Sequence, residues 1–325
     1  MTRFDNPMTR IARRCWPRLA LALGTGALAL GLIACSPTDA PSVAKTGDRP
    51  LKLAYIPGEE DPEGRMEAFS DLAAYLTEAL GEEVELIQAV SYAPTIEALR
   101  ASKIDFMRSG GPYTYLIAHE KAGAEAILSV GTDAGPGLYQ SMLVAWPGSN
   151  IKTLEDLVAR AGEIDFAFVD PASTSGHLIP RARLEQAGID PDTDFGRTIF
   201  TMSHTNSAMA IMSGKVQAGA MSFKSYERLL KAGHMKEGDI RILWKSEPIL
   251  TGPVMVRPDL PAELKDRLRN AYLALNESDL PVYEAMKKVY KVDDLRFYPA
   301  SDSDWDGLRA IARNVQSFDM MPGGR

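Results

Sequence analysis

Apolar and polar positions change period along the chain in a regular order. Leu51-Lys52-Leu53-Ala54-Tyr55-Ile56 alternates as a strand does and stops at Pro57-Gly58. Phe69, Leu72, Leu76 and Leu80 then recur three and four residues apart, the spacing of one helix face, and Gly81 supplies a stop. Val84 to Gln88 predicts a second strand, Thr95 to Arg100 a helix, Ile104 to Met107 a short strand, and Tyr113 to Lys121 a helix ending at Gly123. Alternation of this kind predicts an α/β fold with a mixed, mostly parallel sheet flanked by helices.

A second round follows. Gln140 to Trp146, Asp165 to Val169, Thr198 to Phe200 and Gln217 to Met221 read as strands, with helices at Leu154 to Ala161, Gly176 to Gln186 and Asn206 to Met212. Ile240 to Trp244 and Val254 to Val256 predict strands on either side of a turn at Pro248 to Pro253. The remainder reads as helices, Pro261 to Leu275, Pro281 to Tyr290 and Asp304 to Ser317. Residues 51–145 with 250–325 are thereby assigned to a first lobe and 146–249 to a second. Two strands near Val144 to Pro147 and Glu247 to Gly252 would form the hinge. No internal repeat or low-complexity tract interrupts this order.

Residues 1–34 stand apart from the fold. Arg10, Arg13, Arg14 and Arg18 precede a Leu-, Ala- and Gly-rich run from Leu19 to Gly31, the layout of an export signal. The run ends in Leu32-Ile33-Ala34-Cys35, which resembles the lipobox of bacterial lipoproteins. That resemblance implies cleavage before Cys35, acylation of its thiol with chains such as palmitate, and a periplasmic protein anchored to the inner or outer membrane. Residues 35–50, rich in Pro, Ser, Thr and Asp, read as a tether reaching roughly 20 Å.

Composition narrows the chemistry further. The chain has two cysteines, and losing Cys15 with the signal leaves a lipidated Cys35, so no thiol remains for catalysis, a disulfide or a metal. Without the five Arg and one Asp of residues 1–34, 36 basic and 43 acidic groups become 31 and 42, a net of −11. Nucleic acid is a poor partner for that balance. An anionic ligand must be caught by local dipoles and donors.

Three stretches offer such donors. Asp170-Pro171-Ala172-Ser173-Thr174-Ser175-Gly176-His177 lies between a strand and a helix, where open α/β sheets bind ligands. One helix cap needs one hydroxyl; three beside unpaired backbone N–H groups make an anion cradle. Ser203-His204-Thr205-Asn206 opens another helix, with His204 as a donor that need not be charged. Ser109-Gly110-Gly111-Pro112-Tyr113 is a third helix start, where glycines admit close backbone approach. No hydrolase elbow, zinc-protease motif or complete phosphate-binding loop is present, and His119, His177, His204 and His234 are too scattered for a metal site. Ser175 and His177, two apart at a helix start, do not face each other as nucleophile and base. Neither catalysis nor a cofactor is expected.

With these motifs the chain resembles the solute-binding lipoproteins of phosphonate, phosphite and phosphate ABC importers. The words that carry the resemblance are Asp170 to His177 and His204-Thr205-Asn206, supported by Val90-Ser91-Tyr92-Ala93 and Gly111 to Tyr115. It implies a two-lobed periplasmic binding protein fold of type II-like form with a two-strand hinge. It further implies a monomer that captures a small phosphorus oxyanion and delivers it to a permease and its ATPase. By resemblance Ser173, Thr174, Ser175 and His204 hold the oxyanion and Tyr92 closes over it; Ser109, Gly110 and Tyr113 of the third helix start, and Lys224, are the further candidate ligand-binding residues. Members that bind aminophosphonates carry an aromatic where Arg108-Ser109-Gly110 stand here, and acids where Lys224 and Gly252 stand. The resemblance therefore implies a ligand without an amino group, or one with an anionic tail that meets Arg108 or Lys224. Receptors for inorganic phosphite or phosphate, a sensor module and an extracytoplasmic hydrolase are the alternatives.

Overall fold

The computed structural model describes residues 49–56, 62–89, 91–108 and 110–315. The signal segment, Cys35, the tether up to residue 48 and Ser109 lie outside the described residues.

The first half of the chain forms β1 (Leu51–Tyr55), α1 (Pro62–Leu80), β2 (Val84–Gln88), α2 (Tyr92–Arg100), β3 (Phe106–Arg108), α3 (Pro112–Ala122), β4 (Glu125–Thr132), β5 (Gly135–Pro136), β6 (Leu138–Tyr139) and β7 (Ser141–Ala145). It continues through α4 (Leu154–Ala159), β8 (Asp165–Phe168), α5 (Ile179–Gln186), β9 (Arg197–Phe200), α6 (His204–Met212), β10 (Ala218–Ser222) and α7 (Phe223–Lys231). The last elements are β11 (Arg241–Lys245), β12 (Ile249–Leu250), β13 (Val254–Val256), α8 (Ala262–Ala274), α9 (Pro281–Tyr290), β14 (Leu295–Pro299) and α10 (Asp306–Asn314).

These strands build two sheets. The first runs β14-β4-β13-β3-β1-β2 with β5 on β4, and the second β11-β7-β10-β8-β9. Each is mixed: β1 pairs in parallel with β2 and β3, and β8 with β9 and β10, whereas β13, β14, β7 and β11 pair antiparallel. Parallel pairing is less prevalent than the alternation suggests, because strands that arrive after a return crossing run the other way. The two sheets are joined by an antiparallel ribbon, β6 on β12. The hinge thus lies upstream of Val144 to Pro147, and Ser141–Ala145, which the sequence pattern assigned to the first lobe, is an inner strand of the second sheet.

Helices cover both faces of each sheet. Phe69, Leu72 and Leu76 of α1 pack with Leu264 and Leu268 of α8 and Met286 of α9 on one face of the first. Ile96, Leu116, Ile117, Leu308 and the buried Trp305 fill the other. In the second lobe Leu157 and Leu184 meet Phe166 and Phe168 on one face, and Ala208, Ile211 and Leu229 meet Val144 and Met221 on the other. Ala172, Leu178 and Ile179 join the core of the first lobe, so the segment after β8 bridges both.

Candidate functional site

Every loop at the carboxyl end of β2, β3, β8, β9 and β10 opens a helix or helical turn, and all five contribute to one cleft of about 340 Å³. Tyr92 starts α2, Gly110 and Gly111 precede α3, Ser173 to Ser175 follow β8, His204 starts α6, and Ser222 caps α7 ahead of Lys224. Helix starts carry N–H groups without intrahelical acceptors, and the peptide dipoles add positive potential there. Sequence motifs pointed to three such starts; the structure gathers five.

The Ser-Thr-Ser segment is wound as a π-helical turn, Thr174–Leu178, a form that recurs at functional sites. Ser173 Oγ caps it by accepting from Gly176 N at 3.1 Å, and Asp170 orders the approach by accepting from Ala172 N at 2.8 Å. Burial raises the Asp170 pKa, partly opposed by that bond. Thr174 Oγ1 accepts from Tyr113 N at 2.8 Å, a hydrogen bond between the lobes. A hydroxyl oxygen that accepts from backbone still carries a proton to donate. Each bond therefore orients its hydroxyl without consuming its donor.

Two glycines make this packing possible. A Cβ on Gly111 would stand 2.7 Å from Thr174 Oγ1, and one on Gly176 would stand 2.4 Å from both Cβ and Cγ2 of Val169. The second contact is with a β-branched side chain fixed in the core. Gly176→Ala is expected to destabilise the fold by ~1–3 kcal/mol and to weaken anion binding by moving the turn, measured by thermal melts and calorimetry on the same preparation.

Tyr92 is buried, and its ring lies where a Cβ on Gly110 would fall. His204 is also buried; burial first, and Arg228 second, push its pKa down to about 3. Its Nδ1 accepts from Ser222 N at 3.2 Å, leaving the proton on Nε2. His204 is thus a neutral donor over the working pH range. Tyr113 differs from expectation. Its side chain, second in α3, turns into the apolar core rather than the cleft, and burial pushes its pKa up to about 12. Tyr113 serves through its backbone N–H instead. His177 stands edge-on to Phe168 and Phe200 with Nδ1 bonded to Pro171 O at 2.8 Å, outside the cleft lining. It offers Ser175 no base.

The sequence motifs left out several cleft residues. The half-buried Tyr139, from the hinge ribbon, brings its hydroxyl to the Thr174 and Ser175 side chains, and desolvation pushes its pKa up to about 12. Arg228 and Lys231 extend the wall that Lys224 begins, whereas Arg108, already expected to meet a ligand tail, ends β3 over the Tyr290 ring at 4.9 Å. Among the described residues no group of His, Cys, Asp or Glu could hold a metal ion, and no helix is long and apolar enough to cross a membrane.

Known proteins resemble this chain in sequence and fold. Residues 53–305 match the family described as ABC transporter, phosphonate, periplasmic substrate-binding protein. The phosphate-import protein PhnD of Mycolicibacterium smegmatis is 28% identical over 310 residues, covering 90% of this chain and 94% of the relative. The phosphonates-binding periplasmic protein of Escherichia coli is 25% identical over 233 residues, 72% of this chain and 68% of the relative. A crystal structure of a binding protein component of an ABC phosphonate transporter from Pseudomonas aeruginosa superposes with a TM-score of 0.72 at 26% identity, covering 84% of this chain and 88% of that one. Fold and sequence agree, and the chain belongs to the family of periplasmic substrate-binding proteins of phosphonate ABC transporters.

Proposed function

We propose that the two lobes close on a phosphonate-type oxyanion and present the closed form to a permease and its ATPase, with no bond made or broken. The observation that carries this reading is the convergence on one cleft of five helix or helical-turn starts, among them the Ser173-Thr174-Ser175 turn and the start that carries the neutral His204. Hydroxyls and N–H groups suit an oxyanion that must be released again. Micromolar capture needs about 8 kcal/mol. Hydrogen bonds to a charged group give about 1.5–3 kcal/mol each and a helix terminus roughly 0.3–2, so several of these donors suffice. Closure is a population shift driven by the ligand's differential affinity for the closed form. In this reading the protein acts as a monomer, held at the membrane by acylated Cys35.

Inorganic phosphate is the second reading, favoured by the name of the Mycolicibacterium smegmatis relative. Thermal melts with methylphosphonate, phosphite, phosphate and sulfate separate the two. A ligand at a hundred times its Kd adds about 2.7 kcal/mol to stability, so the preferred anion should raise the Tm clearly above the others. No rise with any phosphorus oxyanion would leave the Ser-Thr-Ser turn as a helix cap only.

A further inference from the structure

One wall of the cleft carries more positive charge than a single oxyanion head requires. Lys224, Arg228 and Lys231 lie four and then three residues apart on α7, on one helix face, and all line the cleft with Arg108 from the opposite lobe. Like charges at such spacing repel, and α7 directs its positive end toward the same space. Lys224 has no carboxylate within ion-pair distance among the described residues. Its side chain keeps an exposed surface in the open cleft, yet desolvation by the surrounding walls, then Arg108 and Arg228, lower its pKa to about 8, with Glu227 opposing.

Arg108 is similarly placed. Its Nε is buried with no hydrogen-bond partner among the described residues, and its guanidinium stacks on Tyr290 instead of pairing with an acid. Arg228 is braced by its own helix, through Nε to Lys224 O at 3.3 Å and Nη2 to Ser225 Oγ at 3.1 Å. Buried donors in native proteins are as a rule satisfied, so an unfilled Nε beside a crowded ammonium marks a place for an acceptor that carries charge.

Cleft size agrees. Methylphosphonate has five heavy atoms, and at roughly 30 Å³ each, the share of one liquid water, it fills less than half of the cleft's about 340 Å³. We propose that the ligand is a phosphorus oxyanion bearing a second acidic group, and that Arg108, Lys224, Arg228 and Lys231 form the subsite for that group. This rests on the phosphonate-type reading of the Ser-Thr-Ser turn. An ammonium tail, in contrast, would meet the Lys224 ammonium and the Arg108 guanidinium, neither of which pairs with a carboxylate among the described residues.

Calorimetric titration of the purified protein with a matched ligand series tests the subsite. Phosphonoacetate and 3-phosphonopropionate supply a carboxylate tail and methylenediphosphonate a phosphoryl tail; ethylphosphonate and propylphosphonate supply neutral tails, and 2-aminoethylphosphonate a cationic one. The expected result is that at least one acid-tailed ligand binds about tenfold or more tighter than its alkyl counterpart, with aminoethylphosphonate the weakest. In Lys224→Gln that preference should fall to within roughly threefold. Equal binding of acid-tailed and alkyl ligands, or tightest binding of aminoethylphosphonate, overturns the subsite while leaving the oxyanion cradle standing. Absence of binding by every member overturns both.

Discussion

Thr174→Val should weaken methylphosphonate binding by roughly 10- to 150-fold, the loss of one charge-assisted hydrogen bond of about 1.5–3 kcal/mol. The substitution keeps the shape of the side chain and removes its hydroxyl. It also removes the acceptor for Tyr113 N, leaving that donor unpaired between the lobes, a cost of about 1–3 kcal/mol borne by the form in which the two segments meet. Thr174→Ser restores both bonds and should restore most of the affinity. Calorimetry on the pair separates hydroxyl chemistry from packing. Equal affinity in Thr174→Val and the unaltered protein would remove Thr174 from the cradle.

The second large effect lies away from the cleft, at the other end of β3. Asp105 is fully buried and accepts from Arg49 Nη1 and Nη2 at 2.8 Å, Lys52 N at 2.8 Å and Arg257 Nε at 2.6 Å. It fastens the start of β1 to the residue after β13. Asp105→Ala should cost about 3–5 kcal/mol, because it strands the half-buried Arg257 guanidinium, and should lower the Tm by roughly 10 °C at ~2–4 °C per kcal/mol. Burial alone would raise the Asp105 pKa, but the bonds from Arg49, Lys52 and Arg257 outweigh it and hold the carboxyl below its ordinary value of 3.8. A depressed pKa gives stability that is present in full above the unfolded value and lost as pH falls through the folded one. The unaltered protein should therefore lose stability below about pH 4 more steeply than Asp105→Ala. Parallel acid-unfolding curves for the two would remove Asp105 from this role.

The sequence pattern was most informative where signals are local. The starts of α3, of the π-helical turn ahead of α5 and of α6 carry Gly-Pro, Ser-Thr-Ser-Gly and Ser-His-Thr-Asn, chemistry that caps a helix within three or four residues. Those starts are also the cleft. Strands β4 and β14 escaped the pattern because they are defined by pairing at long range: Leu295 meets Thr132 and Phe297 meets Val130 across more than 160 residues of chain. Strand β4 is buried along most of its length, so it lacks the alternation that marks a half-exposed strand.

The cationic wall was hidden for a related reason. Helix α7, Phe-Lys-Ser-Tyr-Glu-Arg-Leu-Leu-Lys, is short and mostly polar, and without it Arg228 and Lys231 have no common face with Lys224. Tyr139 belongs to a two-residue ribbon whose partner is Ile249, beyond the reach of any local pattern. Tyr113 was assigned to the cleft by its place at a helix start, but the rotation of α3 against the core decides where a side chain in the first turn points.

A crystal structure of the protein with methylphosphonate tests the central claim most directly. The phosphonate oxygens should lie within hydrogen-bond distance of the Ser173, Thr174 and Ser175 hydroxyls and of His204 Nε2, with Tyr92 closed over them. Phosphorus bound elsewhere on the molecule, or a cleft still empty at saturating ligand, would contradict it.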